Sequence, residues 1–333
     1  MTLPTPPSPI AHYNILERMG EGGIGEVFRA RDTKVGRTVA LKLVAPAIAE
    51  DPPRLRRLLE SAAAAASLSH PNIATLWDVG ESEGFHYLAY EFAAGRRLRD
   101  EAGGAAMNTR RALDLAVQIA DGVADGHANG VIHGDLRPDT IVVTTKGSAK
   151  ILDFGMAPWT SGGALRARAA DSPDTLTADT VAVLAYLSPE QALGGAVDPR
   201  TDVFSLGTLT YELVTGRNPF AAATASETIV NVIQGAVPPP SQANQAVPKE
   251  LDAVIARALT RDLGQRQQSA AALAAELRSV AAVLDVRSGD VHEPSGLLPI
   301  DESPDRQAAG LLTGALIAAA AAAGLVWWLL SRG

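Results

Sequence analysis

A glycine-rich loop between two predicted strands constrains the fold of this chain more than any other feature. Gly20, Gly22 and Gly25 form a G-x-G-x-x-G pattern, and Val27 follows two residues later. Because glycine has no Cβ, such a loop can fold closely over phosphate groups and donate N–H hydrogen bonds to them. A dinucleotide-binding fold would begin a helix at this loop, whereas residues 27–30 are typical of a strand. The pattern therefore favours a phosphate-binding loop between strands over a dinucleotide fold.

Three charged residues downstream suit the transfer of a phosphoryl group. Lys42 ends a second predicted strand, from which its ammonium could reach the α- and β-phosphates of a nucleotide. Asp135 lies in the segment His133–Thr140, and Asp153 begins an Asp-Phe-Gly triplet. One such carboxylate can position or deprotonate an acceptor hydroxyl, while the other holds Mg²⁺. A surface lysine and two turn-capping aspartates are the simpler interpretation, which the glycine loop upstream disfavours.

The order of the predicted elements indicates an α+β fold. Residues 13–90 are mostly strand-like, with strands at Val35–Val44 and Phe85–Phe92 and one alanine-rich helix at Pro53–Leu68. From Thr109 onward, helical spacing dominates. The predicted elements there are the strands Thr140–Val143 and Lys150–Leu152, the loop Gly155–Thr180, and the helices Arg110–His127, Phe204–Thr215, Ser226–Gln234, Pro248–Leu259 and Ser269–Val283. A small sheet-rich half therefore precedes a larger helical half.

In chain order, these motifs resemble those of bacterial eukaryotic-like serine/threonine protein kinases. The resemblance extends over Tyr13–Leu284 and implies a two-lobed protein kinase fold, with a small β-rich N-lobe at 13–92 and a larger helical C-lobe at 93–284. In this family a glutamate pairs with an arginine near the end of the domain, and Glu190 and Arg266 match those positions. Besides the glycine loop, the matching motifs are Val39–Lys42, His70–Ile73, Asp153–Gly155, Ser188–Glu190 and Asp202–Gly207.

The resemblance also implies a role for individual residues. Asp135 would be the catalytic base, acting with Lys42 and with Arg137 of the same loop. Asp153 and Thr140 occupy the two metal-binding positions, and the implied cofactors are ATP and Mg²⁺ or Mn²⁺. The implied nucleotide-binding residues are Gly20, Glu21, Gly22, Gly23, Gly25, Val27, Ala40, Lys42, Val142, and Glu91 and Ala93 of a hinge that binds adenine through its backbone.

Three departures from the family pattern lie in the predicted catalytic loop. Thr140 replaces the asparagine that binds a second metal ion, and a hydroxyl is the poorer ligand in that position. Arg137 replaces the lysine of the loop, which keeps the charge on a bulkier, forked group. Gly134 replaces the arginine before the base. The basic pocket that recognises a phosphorylated activation loop is then incomplete.

Two further departures lie outside that loop. Residues 182–183 are Ala-Val where the family has Gly-Thr, so a hydroxyl that would contact the catalytic aspartate is absent. Ser61 falls at the helix position whose glutamate should pair with Lys42. Glu60 is one residue earlier, about 100° away around the helix. Either Lys42 lacks this ion pair or Glu60 substitutes through a local adjustment.

These departures leave two main hypotheses for the function and a third that is less favoured. An active, membrane-anchored serine/threonine kinase is favoured by Lys42, Asp135 and Asp153, whose loss usually ends phosphoryl transfer. A pseudokinase that binds nucleotide and acts as a scaffold or regulator is favoured by four substituted positions, Thr140, Gly134, Val183 and Ser61. A small-molecule phosphotransferase would share the His-Gly-Asp triplet, but it would lack the Ser-Pro-Glu and Asp-x-x-Ser-Leu-Gly segments present here.

The two ends of the chain suggest a membrane-attached protein. Residues 1–12 read as a flexible, proline-rich N-terminus and 285–307 as a polar juxtamembrane linker. Ala308–Leu330 is an uncharged apolar run that would span about 34 Å as a helix, which is enough to cross a bilayer. We expect a single-pass anchor in the cell membrane, with the kinase-like domain in the cytoplasm where ATP is found; a buried alanine-rich helix is the alternative. Gly310 and Gly314 share one helix face and make a homodimer a candidate assembly.

Composition excludes several other functions. The chain has 29 Lys and Arg against 37 Asp and Glu, a net charge of −8, so a dedicated nucleic-acid-binding protein is not expected. It has no cysteine, which excludes disulfides, zinc-finger sites and thiol nucleophiles. The resemblance implies ATP and protein substrates of unknown identity as partners, and the apolar run adds the membrane.

Overall fold

The N-terminal lobe is built on a five-stranded antiparallel sheet in the part of the chain that a computed structural model describes, residues 8–159 and 178–289. Its strands are β1 Tyr13–Glu21, β2 Glu26–Asp32, β3 Thr38–Leu43, β4 Leu76–Ser82 and β5 Phe85–Glu91. The order across the sheet is β1-β2-β3-β5-β4. Strand β3 therefore lies in the middle of the sheet, paired on both sides.

The register of this sheet places several predicted nucleotide-binding residues on one face. Lys42 on β3 lies opposite Val27 on β2 and Leu88 on β5. Because side chains alternate along a strand, Ala40 shares this face with Lys42. The opposite face buries the apolar cluster Ile10, Tyr13, Phe28, Ala30, Val39, Leu41, Leu43, Tyr87 and Ala89. Alternation thus places Lys42 on the face of the sheet opposite this cluster.

Two helices, α1 Pro46–Ala49 and α2 Pro52–Ala66, connect β3 to β4. The carboxylate of Asp51 caps α2 by accepting a backbone N–H of the first turn at 3.1 Å, and prolines occupy that turn. Leu58 and Ala62 lie on the buried face of α2, four residues apart as helical periodicity requires. This face packs against the apolar residues of β4 and β5.

The C-terminal lobe is helical apart from a small antiparallel sheet. That sheet consists of β6 Gly95–Arg97, β7 Ile141–Thr144 and β8 Ala149–Ile151 in this order. Short 3₁₀ helices occupy Pro138–Thr140 and Ala157–Trp159. The α-helices are α3 Leu98–Ala102, α4 Thr109–Ala128, α5 Ala178–Leu184, α6 Pro189–Ala192, α7 Pro199–Thr215, α8 Ala225–Gln234, α9 Pro240–Ala243, α10 Glu250–Ala258 and α11 Ala270–Ser288.

Helix α7 is the centre of this lobe. It begins after Asp198, whose carboxylate accepts the Arg200 N–H, and most of its side chains are buried. A helix that is buried on nearly all sides needs apolar neighbours on all sides. Helices α4, α10 and α11 supply them and form one apolar core with α7. The polar Asp202 is also fully buried within this core helix.

The predicted α+β architecture with two lobes is confirmed, and element ends differ by a few residues. The helix expected to begin at Phe204 begins at Pro199, because Asp198 caps it. The predicted loop Gly155–Thr180 is wrong at its described ends, which contain a 3₁₀ turn and the first residues of α5. Helix α11 continues to Ser288, past the predicted end of this helix at Val283. The reason is that polar residues of its last turn are anchored: Asp285 accepts a hydrogen bond from Arg110, and Arg287 pairs with Glu250.

The predicted terminal segments lie largely outside the described residues. These are residues 1–7, most of the linker 285–307 and the predicted transmembrane helix Ala308–Leu330, and residues 160–177 are also outside. Within the described ranges 8–159 and 178–289, no helix has the length and apolar character needed to span a bilayer.

Candidate active site

Asp202, buried in α7, holds the backbone of the predicted catalytic loop. Its two carboxylate oxygens accept the N–H groups of His133 and Gly134, each at 2.8 Å, and Nε2 of His127 lies 2.8 Å from Oδ2. Burial raises the pKa of Asp202, but the hydrogen bond from His127, the charges of nearby histidines and the Gly134 amide together lower it below its usual value. The ionised carboxylate therefore fixes the backbone immediately before Asp135.

The predicted base, Asp135, has a side chain that is only 2% exposed. The Nε of Arg137 lies 3.5 Å from Asp135 Oδ1, and Nη1 of the same guanidinium donates to Asp139 Oδ2 at 2.6 Å. Because a guanidinium is rigid and planar, it holds the two carboxylates at a fixed separation. The loop thus brings together Asp135 and Arg137, both predicted to be catalytic.

Thr140, predicted at a metal-binding position, directs its hydroxyl into its own loop. Its Oγ1 lies 2.9 Å from the carbonyl of Arg137 and 3.2 Å from that of Asp135, and it accepts the Arg137 N–H at 3.2 Å. One hydroxyl proton serves both carbonyls, and the residue is 4% exposed. Its observed partners are those of a loop clamp rather than of a metal ligand.

Lys42 and Asp153 meet between the two lobes. The Nζ of Lys42 donates to Oδ1 of Asp153 and lies 5.1 Å from the ring centroid of Tyr90. Asp153 has a φ of 58°, a left-handed conformation that is uncommon outside glycine. Burial raises the pKa of Asp153, but the neighbouring charge of Lys42 and a hydrogen bond from it lower the pKa below its usual value. At neutral pH the carboxylate is therefore ionised.

The predicted glycine loop turns between β1 and β2. The N–H of Gly22 donates to the carbonyl of Gly25 at 2.8 Å. A Cβ at Gly25 would lie 2.0 Å from the Leu43 carbonyl, so only glycine fits there. Glu21 and Gly23 are exposed at the loop. The loop backbone therefore lies directly against the end of β3, and phosphate binding by this loop stays a prediction.

An apolar cluster joins this loop to α2 and to the segment after Asp153. Ile24 is 3% exposed and lies in the same buried cluster as Leu58, Met156 and Trp159. Burial of these side chains together removes apolar surface from water, which stabilises the arrangement. The tip of the glycine loop is thereby held against α2 and against the segment that follows Asp153.

Ser61 lies at the position where the family has a lysine-pairing glutamate. Its Oγ accepts the indole N–H of Trp159 at 3.3 Å. Glu60 is exposed and makes no ion pair with any residue in the described ranges. Since Lys42 pairs with Asp153, Glu60 does not substitute for the missing glutamate.

The predicted hinge follows β5. The carboxylate of Glu91 pairs with Lys150 at 2.7 Å. The backbone N–H of Glu91 donates to the carbonyl of Thr75 at 2.8 Å. Ala93 is half-buried, and Val142 lies on β7 opposite Arg97 of β6. The Glu91 side chain is thus engaged with the C-terminal lobe, which is compatible with adenine recognition by backbone groups.

The cleft residues fit one nucleotide-bound cation better than two. Asp153 offers an ionised carboxylate, whereas the Thr140 hydroxyl is engaged by its own loop. The hydroxyl of Tyr90 is buried without a hydrogen-bond partner in the described part of the chain, which leaves a donor that a ligand or water could satisfy. No group of three or more His, Cys, Asp or Glu in the described residues could hold a metal alone. A cation here would need further oxygen ligands, which nucleotide phosphates can supply.

The predicted pair of Glu190 and Arg266 is confirmed. The guanidinium donates to both carboxylate oxygens, at 2.9 and 3.2 Å, and the Arg266 side chain is fully buried. Two further donors reach the carbonyls of Thr260 and Arg200, each at 2.9 Å. Four of the five N–H donors of this buried guanidinium are bonded, which stabilises the segment between α6 and α11.

Several residues of the site were not predicted. The sequence motifs place Asp202 in a segment without a role of its own, and they assign no role to Asp139, Arg97 or Arg99. Arg97 donates to the backbone carbonyl of Asp139, and Nη2 of Arg99 lies 2.8 Å from Asp139 Oδ1. The visible signal was the dense run of arginines at 96–99, directly after the predicted hinge.

Comparison with known proteins gives consistent matches. A profile described as a protein kinase domain matches residues 13–277. Serine/threonine-protein kinase PknB of Mycobacterium leprae is 34% identical over 305 residues, which cover 90% of this chain and 47% of that protein. Serine/threonine-protein kinase PrkC of Bacillus subtilis is 31% identical over 268 residues, 80% of this chain and 40% of that protein. The chain spans about half the length of the curated relatives it matches.

Solved structures show the same fold. The structure of the Mycobacterium tuberculosis PknI kinase domain aligns with a TM-score of 0.64 over 84% of this chain and 100% of that domain. The aligned residues are 24% identical, so this likeness concerns the fold alone.

Proposed function

The chain belongs to the protein kinase domain family, and we propose that it transfers the γ-phosphate of ATP to serine or threonine hydroxyls of protein substrates. The observation that best supports this is the meeting of Lys42 and Asp153 next to the loop that carries Asp135. A hydrogen bond of 3.0 Å between Nε2 of His133 and the carbonyl of Leu152 joins the two loops. The named serine/threonine kinases among the relatives support this acceptor class.

Each residue has a distinct proposed role. When bound, ATP would supply the phosphoryl group, and the cation would offset the negative charge of its phosphates. Lys42 would exchange its contact with Asp153 for the nucleotide phosphates, and Asp153 would then hold the cation. Asp135 would orient the acceptor hydroxyl and take its proton. Arg137, which contacts both Asp135 and Asp139, would keep the base in position.

Nucleotide binding is the first test. Mg-ATP at a hundred times its dissociation constant should stabilise the chain of residues 1–333 by about 2.7 kcal/mol, seen as a rise in melting temperature. Lys42→Met should reduce the shift, and Asp153→Asn should remove its dependence on metal. A folded wild-type protein that shows no shift with ATP or ADP, with either Mg²⁺ or Mn²⁺, would contradict nucleotide binding.

Phosphoryl transfer is the second test. We expect weak autophosphorylation within residues 160–180, where Thr175, Thr177 and Thr180 are closely spaced in the sequence. Radiolabelled ATP and mapping of the labelled residues would measure it. Asp135→Asn removes the proposed base and should abolish the label without preventing nucleotide binding, which makes it the matched control.

A pseudokinase that binds nucleotide is the second candidate. Two observations favour it: the Thr140 hydroxyl is bonded within its own loop, and Ser61 accepts a hydrogen bond from Trp159 rather than supplying a carboxylate to Lys42. A protein that binds Mg-ATP but transfers no phosphate, in the wild type or in Thr140→Asn, would establish this alternative.

We also propose that Ala308–Leu330 anchors the protein in the cell membrane, with the kinase domain in the cytoplasm. The support is the uncharged apolar run itself, with Trp327 and Trp328 near one end, where indole rings favour the headgroup region. ATP is cytoplasmic, so a kinase domain must face that side to work.

A further inference from the structure

Three arginine side chains converge on Asp139, next to the proposed base. Arg137 donates to Oδ2 at 2.6 Å, Nη2 of Arg99 lies 2.8 Å from Oδ1, and Arg97 donates to the backbone carbonyl. Arg97 ends β6 and Arg99 lies in α3, so both come from the segment after the predicted hinge. The pairing of β6 with β7 brings this segment beside the catalytic loop.

The positive charge of this cluster is only partly balanced. The single carboxylate of Asp139 faces three guanidinium groups, of which Arg137 is shared with Asp135. Arg97 makes no ion pair with any residue in the described ranges, and its partner here is a neutral carbonyl. Arg97 is exposed, and the side chain of Arg99 is 61% exposed. Exposed guanidiniums with unused donors bind carboxylate and phosphate groups.

Two other acidic groups near this cluster are already engaged, and the charge of Arg97 contributes to the lowered pKa of Asp153. Glu101 pairs with Arg96 at 3.6 Å. Glu212, close enough to feel the charge of Asp139, accepts the hydroxyl of Tyr186, and burial raises its pKa. The exposed arginine cluster therefore attracts anionic groups locally, although the chain as a whole has a net charge of −8.

We infer that Arg97 and Arg99 form a subsite for an acidic side chain of the protein substrate, flanking the serine or threonine that Asp135 receives. This inference rests on the proposed kinase function, since the subsite is defined relative to Asp135. The guanidinium of Arg137 lies between Asp135 and Asp139, the residue on which Arg97 and Arg99 converge. An extended peptide advances about 3.3 Å per residue, so the recognised acid lies within a few residues of the acceptor.

The test measures peptide binding rather than turnover. The chain of residues 1–333, saturated with Mg²⁺ and a non-hydrolysable ATP analogue, is titrated with fluorescent peptides that carry one serine flanked by Glu, Gln or Lys. We expect the Glu peptide to bind roughly tenfold more tightly than the Gln peptide at low salt, with a smaller difference at high salt. Replacing both Arg97 and Arg99 by glutamine should abolish this preference. Arg56→Gln, at an exposed arginine of α2, should retain it.

Charge reversal makes the result independent of folding defects. Arg97→Glu should shift the preference toward the Lys peptide, which a damaged fold cannot do. Equal binding of the Glu and Gln peptides by the wild type, or an equal loss in Arg56→Gln, overturns the inference. So does a variant pair, Arg97→Gln and Arg99→Gln, that weakens nucleotide affinity while peptide preference is unchanged, because the arginines would then serve the phosphates of ATP.

The two proposals fail separately. Acidic preference in binding without any phosphoryl transfer supports the subsite and removes the kinase activity. Phosphoryl transfer without acidic preference supports the kinase activity and removes the subsite.

Discussion

Thr140 performs one of the two tasks that an asparagine could perform at the same position. Its hydroxyl is bonded to carbonyls of the catalytic loop. An asparagine amide has N–H donors for such carbonyls and a separate oxygen that can bind a cation. We predict that Thr140→Asn raises phosphoryl transfer at limiting Mg²⁺ by roughly tenfold, a typical size for changes around a metal site. A titration of initial rate against Mg²⁺ measures this.

The matched control for that change is Thr140→Ser, which keeps the hydroxyl and should leave the Mg²⁺ dependence as it is. A rise in both variants would mean that loop mobility, rather than a new metal ligand, limits the reaction.

The buried carboxylate of Asp202 predicts how the free energy of unfolding depends on pH. Asp202→Asn should lower the free energy of unfolding by about 1–3 kcal/mol at neutral pH, because an amide can accept one of the N–H groups of His133 and Gly134 and opposes the other. The pKa of Asp202 is below the ordinary 3.8 in the folded state, so its stabilisation is complete above that value and is lost as the pH falls through the folded pKa.

Urea unfolding measured from about pH 6 down to about pH 3 tests this sign. The difference between wild type and Asp202→Asn should shrink toward the acid end. Asp100→Asn, at an exposed aspartate of α3, should change stability by less than about 0.5 kcal/mol throughout. A difference that grows on acidification would contradict the assignment.

At the scale of elements, helical periodicity predicted the long segments well. Helix α4 was expected at Arg110–His127 and runs from Thr109 to Ala128, because its apolar residues repeat at helical spacing and Asn108 caps it. The short helices α1, α3, α6 and α9 were not predicted. Each has only one turn or slightly more, too few residues for periodicity to appear, and their tertiary contacts decide them.

The site was predictable where its chemistry is local in sequence. Lys42, Asp135 and Asp153 each lie in a compact motif, so their roles could be inferred from residue types and order. The arginine cluster could not, because it depends on Arg97 lying opposite Val142 in the β6–β7 pair, a contact between distant segments. The pairing of Lys42 with Asp153, in place of a helix glutamate, likewise depends on how the lobes meet.

The ion pair of Glu190 and Arg266 ties α6 to the segment before α11. We predict that Arg266→Met lowers the free energy of unfolding by about 3–5 kcal/mol, because it leaves a largely buried carboxylate without its partner. Urea denaturation measures this. Arg278→Met, which breaks a surface ion pair with Asp121, should cost at most about 1 kcal/mol.

The double variant Glu190→Gln/Arg266→Met gives a further check on this pair. If the two side chains act as a unit, its loss of stability should be clearly smaller than the sum of the single losses. Additive losses would mean that each residue acts mainly through its other partners, Thr201 for Glu190 and backbone carbonyls for Arg266.

At the scale of the whole molecule, the lobes are joined at the cleft by Lys42 and Asp153 and by apolar contact. The cluster that holds Ile24 of the glycine loop also contains Met156 and Trp159 from the segment after Asp153. A nucleotide that draws Lys42 away from Asp153 breaks one of the two contacts that join the lobes at the cleft. Binding at the cleft should therefore be coupled to the position of the glycine loop.

Attachment to the membrane is the remaining prediction at this scale. Deletion from Gln307 onward should move the protein from the membrane fraction to the soluble fraction, because a run of Ala, Leu and other apolar residues long enough to span the bilayer is removed. Immunoblots of fractionated cells measure this. Replacing Gly310 and Gly314 by isoleucine is the matched control: it keeps the run apolar and should leave fractionation unchanged, while lowering self-association in a membrane two-hybrid assay if that face pairs. A truncated protein that stays with the membrane would locate the attachment in the kinase domain or in a partner.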